Sequence, residues 1–295
     1  MELRELESFI AIVESGSVSR AAASLGLSQP AVSKHLAHLE DELGVELLLR
    51  GRTRSVPTVE GEILLLRGRK ILAELQGAAD EIRQSGEALS GTVTVAAGSI
   101  PGEFILPPLL RRFHERHRGL AIVLEDLDSR RALEALVGRR VDVACLGEDR
   151  LPAGYVVRPF VVDELVLACG SGRPFSERAS ISLEAARDLP LLGRLDGSAS
   201  QAIWEAALRR KGLVPPDPRL RFKGTGALLR ALRGGSVFAV VSRWAVVGET
   251  IDFLPFDPPL TRPFFVAHGQ SLSRAAQALV DDLLEAKEGF PCSDR

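Results

Sequence analysis

Along the first 45 residues, apolar positions recur every three or four places, and the pattern breaks at three glycines. Leu6, Phe9, Ile10 and Val13 share one face of a helix over residues 3–15, which Gly16 ends. Ser17 reads as the N-cap of a second helix, Val18 to Leu25. Its small run Ala21-Ala22-Ala23 lets another helix cross closely. After a tight turn at Gly26, Ser28 caps a third helix with Pro30 in its first turn, where a missing N–H costs nothing. Val32, Leu36, Leu39 and Leu43 carry its apolar stripe to Gly44, a C-terminal cap. Val45–Arg50 and Thr53–Val56 are short and β-compatible, with Gly51-Arg52 between them, and predict a wing hairpin. Thr58 then caps a long helix over about 58–87. Leu64, Gly68, Ile71, Leu75, Ala78 and Ile82 occupy its a/d heptad places, the narrow seam of a helix that pairs with another helix.

From residue 91 the period changes. Strands are predicted at Thr92–Ala97, Ala121–Leu127, Val141–Leu146, Tyr155–Val162, Leu165–Cys169, Pro190–Leu192, Arg219–Lys223, Val237–Val241 and Phe264–Ala267. Helices through Leu109 and Phe113, near Arg131–Val137, and over Ala199–Lys211, Ala227–Arg233 and Ser273–Ala286 separate them. Such alternation means an α/β fold with mostly parallel sheets. The predicted organisation is a winged helix-turn-helix at 1–58, a linker and dimerisation helix at 59–90, and an α/β module at 91–295.

Two helices joined by a glycine turn, the second opening with small and polar side chains, form a helix-turn-helix, whose second helix enters the DNA major groove. The candidate base readers are Ser28, Gln29, Ala31, Ser33, Lys34 and His35, with Pro30 as a device for starting the helix. Gln29 can bond adenine through paired hydrogen bonds, Ala31 can touch a thymine methyl, and Lys34 can serve guanine or a phosphate. Arg20 and the wing arginines Arg50, Arg52 and Arg54 are placed for phosphates. The bland alternative is a small helical domain that binds nothing, with Ser28 only a cap and His35 a surface histidine.

Charge complicates this. The chain carries a formal net charge of −2. Residues 1–65 hold six Lys/Arg against ten Asp/Glu, a net of −4. Bulk attraction to DNA is excluded, and binding must rest on a few placed cations. Other features exclude whole classes. No apolar run approaches the roughly 20 residues of a membrane span. The acidic start Met1-Glu2-Leu3-Arg4-Glu5 has no leader pattern, and three scattered cysteines show no disulfide or zinc spacing, so a reduced cytoplasmic setting is expected. No nucleotide, metal or cofactor motif is present, and no cofactor is expected.

Gly16-Ser17-Val18 through Ala21-Ala22, Leu27-Ser28-Gln29-Pro30-Ala31-Val32-Ser33, Leu39-Glu40-Asp41-Glu42-Leu43-Gly44 and Thr58-Val59-Glu60-Gly61 together resemble the DNA-binding signature of LysR-type transcriptional regulators. Leu48 stands where that family often has Phe, and Leu49 is apolar at a usually polar place. The resemblance covers nearly the whole chain. It implies a C-terminal effector module of two subdomains, akin to periplasmic solute-binding proteins, with subdomain I at 91–162 and 265–295 and subdomain II at 163–264. It also implies a homo-oligomer, either a dimer or a tetramer built as a dimer of dimers.

In open α/β sheets, ligands sit beyond the carboxyl ends of strands, where helix N-termini aim free N–H groups. Three loops have this character: Gly98-Ser99-Ile100, Arg194 through Gly197-Ser198-Ala199-Ser200, and Gly224-Thr225-Gly226. The candidate effector residues are Ser99, Ile100, Gly147, Arg194, Gly197, Ser198, Ser200, Thr225 and Gly226, and their chemistry suits a small anion. The second loop resembles the Gly-Ser-Gly-Thr-Arg element of one family branch, but its final Arg is Gln201 here. The bland alternative is that these Ser and Thr residues are only helix caps. Two rival functions fit an α/β module. A solute carrier is disfavoured by the missing leader pattern and the intact reading helix. An α/β enzyme is disfavoured because no nucleophile–base pair is visible. Effector, operator and the sense of regulation stay open.

Overall fold

The computed structural model describes residues 1–49, 55–83, 89–170, 179–195, 197–233 and 237–286. The chain forms two compact units, one built on its first 86 residues and one on the remainder.

In the first unit, α1 (Leu3–Ser15), α2 (Val18–Leu25) and α3 (Gln29–Leu43) end at Gly16, Gly26 and Gly44, each in the left-handed region at φ 68, 65 and 70°. These are the sites where glycine costs no Cβ strain. Ser28 caps α3 by accepting the Ala31 N–H at 3.3 Å. Ser17 differs from expectation. It holds the N-cap position of α2, but its hydroxyl makes no capping bond. Phe9, Ile12, Ala21, Val32 and Leu39 are fully buried where the three helices meet. The wing strands are shorter than predicted, at Leu48–Leu49 (β1) and Val56–Pro57 (β2), paired antiparallel. Leu48 is buried, whereas Leu49 is 56% exposed.

Thr58 caps α4 (Val59–Arg83) by accepting the Gly61 N–H at 3.0 Å. A Cβ on Gly61 would lie 2.1 Å from the Leu47 carbonyl oxygen, so the close approach of wing and helix requires glycine there. The predicted heptad seam is split. At Gly68 a Cβ would meet Leu6 at 2.6 Å and Ile10 at 3.2 Å, and Leu64 packs on the same core. The first half of the seam is therefore spent on α1 of the same chain. Ile71 and Leu75 remain exposed, at 43% and 47%.

The second unit contains an eight-stranded sheet in the order β4-β3-β5-β10-β6-β9-β7-β8. On one side lie β3 (Gly91–Ala97), a π turn (Pro101–Ile105), α5 (Leu106–Arg116), β4 (Leu120–Asp126), α6 (Ser129–Val137) and β5 (Val143–Leu146). On the other lie α7 (Leu183–Arg187), β7 (Leu191–Arg194), α8 (Ala199–Arg210), β8 (Arg221–Phe222), α9 (Thr225–Leu232) and β9 (Phe238–Ser242). Both flanks are parallel, as the alternation predicted. The centre is not. The expected strands Tyr155–Val162 and Leu165–Cys169 are one strand, β6 (Tyr155–Gly170), and Phe264–Ala267 is the end of the 19-residue β10 (Ile251–Gly269). The two run antiparallel along their length. α10 (Arg274–Ala286) closes the fold through Leu279, Val280 and Leu283.

The polar pair Asp163-Glu164 and the prolines of β10 look like strand breaks in sequence. They are accommodated because Asp163 stands opposite Arg262 in register and because the ladder shifts between Pro255 and Leu260. Asp163 is fully buried and Arg262 is 7% exposed. Arg262 Nε donates to Asp163 Oδ2 at 2.8 Å, and the Ser242 hydroxyl donates to Oδ1 at 2.6 Å. Burial raises the Asp163 carboxyl above its ordinary range, against the opposing pull of Arg262 and Ser242.

Candidate functional site

The first candidate surface is the start of α3. Ser28, Gln29, Pro30, Ser33 and Lys34 are all exposed, and Ala31 is half-buried. Capping and the Pro30 start leave the side chains of Gln29, Ser33 and Lys34 on the solvent face, while Val32 and Leu39 turn inward. His35 is placed differently. It is half-buried, and its Nδ1 lies 2.7 Å from the Ser8 hydroxyl, so it joins α3 to α1. Arg20 on α2 is exposed. Arg50, Arg52 and Arg54 lie outside the described residues.

Four acids of this unit are held by internal bonds. Glu5 accepts the Glu2 N–H at 2.7 Å and lies 2.5 Å from His38 Nδ1. These bonds, the backbone one first, hold its carboxyl below the ordinary range. Glu40 accepts the Leu47 N–H at 2.7 Å, Glu14 accepts two bonds from Arg69, and Glu42 pairs with the Met1 ammonium. None of these partners belongs to the opening turns of α3. Arg69 and the Met1 ammonium, which the side-chain count over residues 1–65 leaves out, offset part of that net −4.

The second candidate surface lies beyond the carboxyl ends of the flanking strands. Arg194 ends β7 and is 8% exposed. Its Nη1 donates to the Thr225 hydroxyl at 2.6 Å and its Nη2 to the Lys223 carbonyl at 2.7 Å. Its Nε is buried with no partner among the described residues. The backbone N–H of Arg194 donates to the Gln201 side-chain oxygen at 3.3 Å. One arginine therefore pins the starts of both α8 and α9. Burial holds its guanidinium below the ordinary range, opposed by Glu103 and reinforced by Arg262. Ser198 caps α8 by accepting the Gln201 N–H at 3.5 Å. Gly197 adopts φ 89°, Ser200 is 5% and Thr225 1% exposed, and Gly226 is half-buried with open space where a Cβ would stand.

On the other flank, Ser99 is half-buried and Gly147, just after β5, is exposed. Ile100 is 4% exposed and packs in the main core. Sequence reasoning missed two acids here. Glu103 sits in the π turn after β3, and Asp126 ends β4 opposite Ala97 in register. Burial, and then Asp126, raises the Glu103 carboxyl, while Arg194 lowers it. The signal for Glu103 was available, since it follows a predicted strand end by six residues. A π turn is invisible in sequence, however, and such turns gather at functional sites. Cys145 and Cys169 are buried in strands, and burial drives the Cys145 thiol far above its ordinary range, so it is no thiolate nucleophile.

No helix among the described residues is long and apolar enough to cross a membrane. Comparison with known proteins matches both parts of the chain. Residues 3–62 match the family described as bacterial regulatory helix-turn-helix protein, lysR family, and residues 86–288 match the LysR substrate binding domain. A probable RuBisCO transcriptional regulator of Trichormus variabilis is 30% identical over 256 residues, covering 84% of this chain and 75% of that one. A full-length OxyR variant from Pseudomonas aeruginosa superposes with a TM-score of 0.80 at 21% identity, covering 99% of this chain and 96% of that one. Full-length CbnR in complex with its target DNA gives 0.66 at 22% identity over 97% and 100%. A helix-turn-helix head with an exposed reading face, joined to a substrate-binding module and matched by both family domains, places the chain in the LysR family of bacterial transcriptional regulators.

Proposed function

We propose that the chain binds double-stranded operator DNA as a homo-oligomer and that a small anionic effector, bound beyond the strand ends of its α/β module, changes that binding. The observation that carries the DNA half is the exposed polar face that Gln29, Ser33 and Lys34 form at the start of α3. Gln29, Ala31 and Ser33 read bases, with Ser28 and Pro30 fixing the start of the reading helix. Lys34, Arg20 and the wing arginines Arg50, Arg52 and Arg54 meet phosphates, and His35 holds α3 in place. The exposed half of the α4 seam, Ile71 and Leu75, pairs with the same helix of a second copy, so that two heads meet successive half-sites. A tetramer would be two such dimers, and sedimentation of the full chain measures this directly.

The observation that carries the effector half is Arg194, which holds two helix starts and keeps one buried N–H unpaired. An anion there is met by the N–H groups at the starts of α8 and α9, with Ser99, Gly147, Gly197, Ser198, Ser200, Thr225 and Gly226 around it and Ile100 as the apolar floor. The module moves as subdomain I (91–162 and 265–295) against subdomain II (163–264), with the Asp163–Arg262 pair at the crossing. The buried cysteines favour a bound ligand over a thiol redox signal.

A gel-shift series on operator and random DNA tests the reading face. Gln29→Ala should lower operator affinity by about tenfold or more, with little loss on random DNA. Lys34→Ala should weaken both about equally and reduce the salt slope by about one. Equal losses on the two DNAs for Gln29→Ala would remove its base-reading role.

A further inference from the structure

The two helix starts beside Arg194 are not equivalent. The start of α8 is already served by the chain itself. Ser198 caps it by accepting the Gln201 N–H. Gln201 in turn spends both ends of its side chain internally, accepting the Arg194 N–H at 3.3 Å and donating to Glu205 at 3.0 Å. The start of α9 has no such closure. Its N-cap is Gly224, which makes no side-chain cap bond, and the Thr225 hydroxyl is engaged by Arg194 Nη1 at 2.6 Å. A Cβ added at Gly224 or at Gly226 would meet nothing within 4 Å, so the first turn of α9 opens onto unfilled space. The opening N–H groups of a helix carry partial positive charge and want an acceptor.

Arg194 stands against this open start. It bonds Thr225 and the Lys223 carbonyl, the residues on either side of Gly224. Both partners are neutral. Arg194 is 8% exposed, its Nε is buried without a partner, and it forms no ion pair among the described residues. The other buried arginine of this unit is built differently, since Arg262 has Asp163 at 2.8 Å as its counter-ion. A buried guanidinium without an acid is an unbalanced charge, and buried charges are ordinarily paired.

We infer that the effector is a monoanion whose acid group seats at the start of α9, as the counter-ion that Arg194 lacks. This deepens the proposed anion-binding reading, on which it rests, by moving the acid group off the start of α8, whose part is to hold Arg194 in place. One acid oxygen is met by the opening N–H groups of α9 and the other by Arg194. One negative charge balances one guanidinium. A second charge on the ligand would be desolvated at this seat without a buried cation of its own, so dianions bind more weakly.

The test uses the full chain, with thermal shift followed by titration calorimetry at matched ionic strength. The probes are pairs of similar shape and different charge: propionate and malonate, butyrate and succinate, benzoate and terephthalate. At least one monoanion should bind about tenfold or more tightly than its dianionic partner. Gly226→Ala places a methyl in the open space of the seat without meeting protein atoms, and alanine suits a helix better than glycine. Its thermal midpoint should hold or rise while the affinity of that monoanion falls about tenfold. Ser198→Ala, at the start of α8, should cost less affinity than Gly226→Ala. Dianions binding as tightly as monoanions, or a larger affinity loss for Ser198→Ala than for Gly226→Ala, would overturn this inference and leave the anion reading standing. Binding by no probe of either charge would overturn both.

Discussion

The two halves of this chain handle their polar groups in opposite ways. In the head, the side chains proposed to meet the ligand lie on the open face of α3, and removing any of Gln29, Ser33 or Lys34 disturbs no described internal bond. In the α/β unit, the key polar groups are buried and bonded to each other. Arg194 holds Thr225 and Lys223, and Asp163 holds Arg262 and Ser242. The difference follows from the ligands. A DNA duplex is a large external surface, read by whatever protrudes, and its affinity comes mostly from phosphates. A small molecule must be enclosed, so its partners have to be positioned before it arrives. Stability and function are therefore separable in the head and entangled in the module.

Substitutions at three positions probe that separation. The largest effect is expected from Asp163→Ala, which leaves Arg262 buried without its counter-ion, at a cost of about 3–5 kcal/mol. Urea unfolding should show the loss in the α/β unit alone, with the melting of the head unchanged. Arg194→Ala removes two charged-donor bonds and should cost about 1.5–3 kcal/mol, while also abolishing the response to any effector. The informative control is Arg194→Lys, which keeps the charge and the backbone bond to Gln201 but cannot hold the Thr225 hydroxyl and the Lys223 carbonyl with one planar fork. Its expected phenotype is weakened effector binding at a smaller stability cost. Gln29→Ala should change stability by no more than about 0.5 kcal/mol while relaxing DNA sequence preference. A large stability loss for Gln29→Ala, or none for Asp163→Ala, would erase the contrast between the two units.

The same contrast explains what was legible in the sequence. The head is built from local signals. Glycine caps, the Ser28-Pro30 start and the 3.6-residue stripe each act within a few positions, so α1, α2 and α3 fall where the pattern puts them. The α4 seam was legible as an apolar stripe, but its use was not, because Gly68 meets Leu6 some sixty positions earlier in the chain. In the α/β unit the outer strands and helices could be read from alternation. The long crossing strands could not, because Asp163 and Glu164 look like a break unless Arg262 is known to stand opposite, 99 residues away. Arg194 was singled out by its place at a strand end. Glu103 and Asp126 were not, since an exposed acid near a strand end is ordinary.

The central claim is that effector and DNA sites are linked through one chain. The direct test is fluorescence anisotropy of the full-length protein on labelled DNA from upstream of its own gene. Titrations would be run alone and with the tightest ligand found among small carboxylic and amino acids. The account predicts a change in DNA affinity of about fivefold or more, with DNA changing the ligand's affinity by the same factor. A ligand that binds Arg194-dependently yet leaves DNA affinity and footprint unchanged would contradict it.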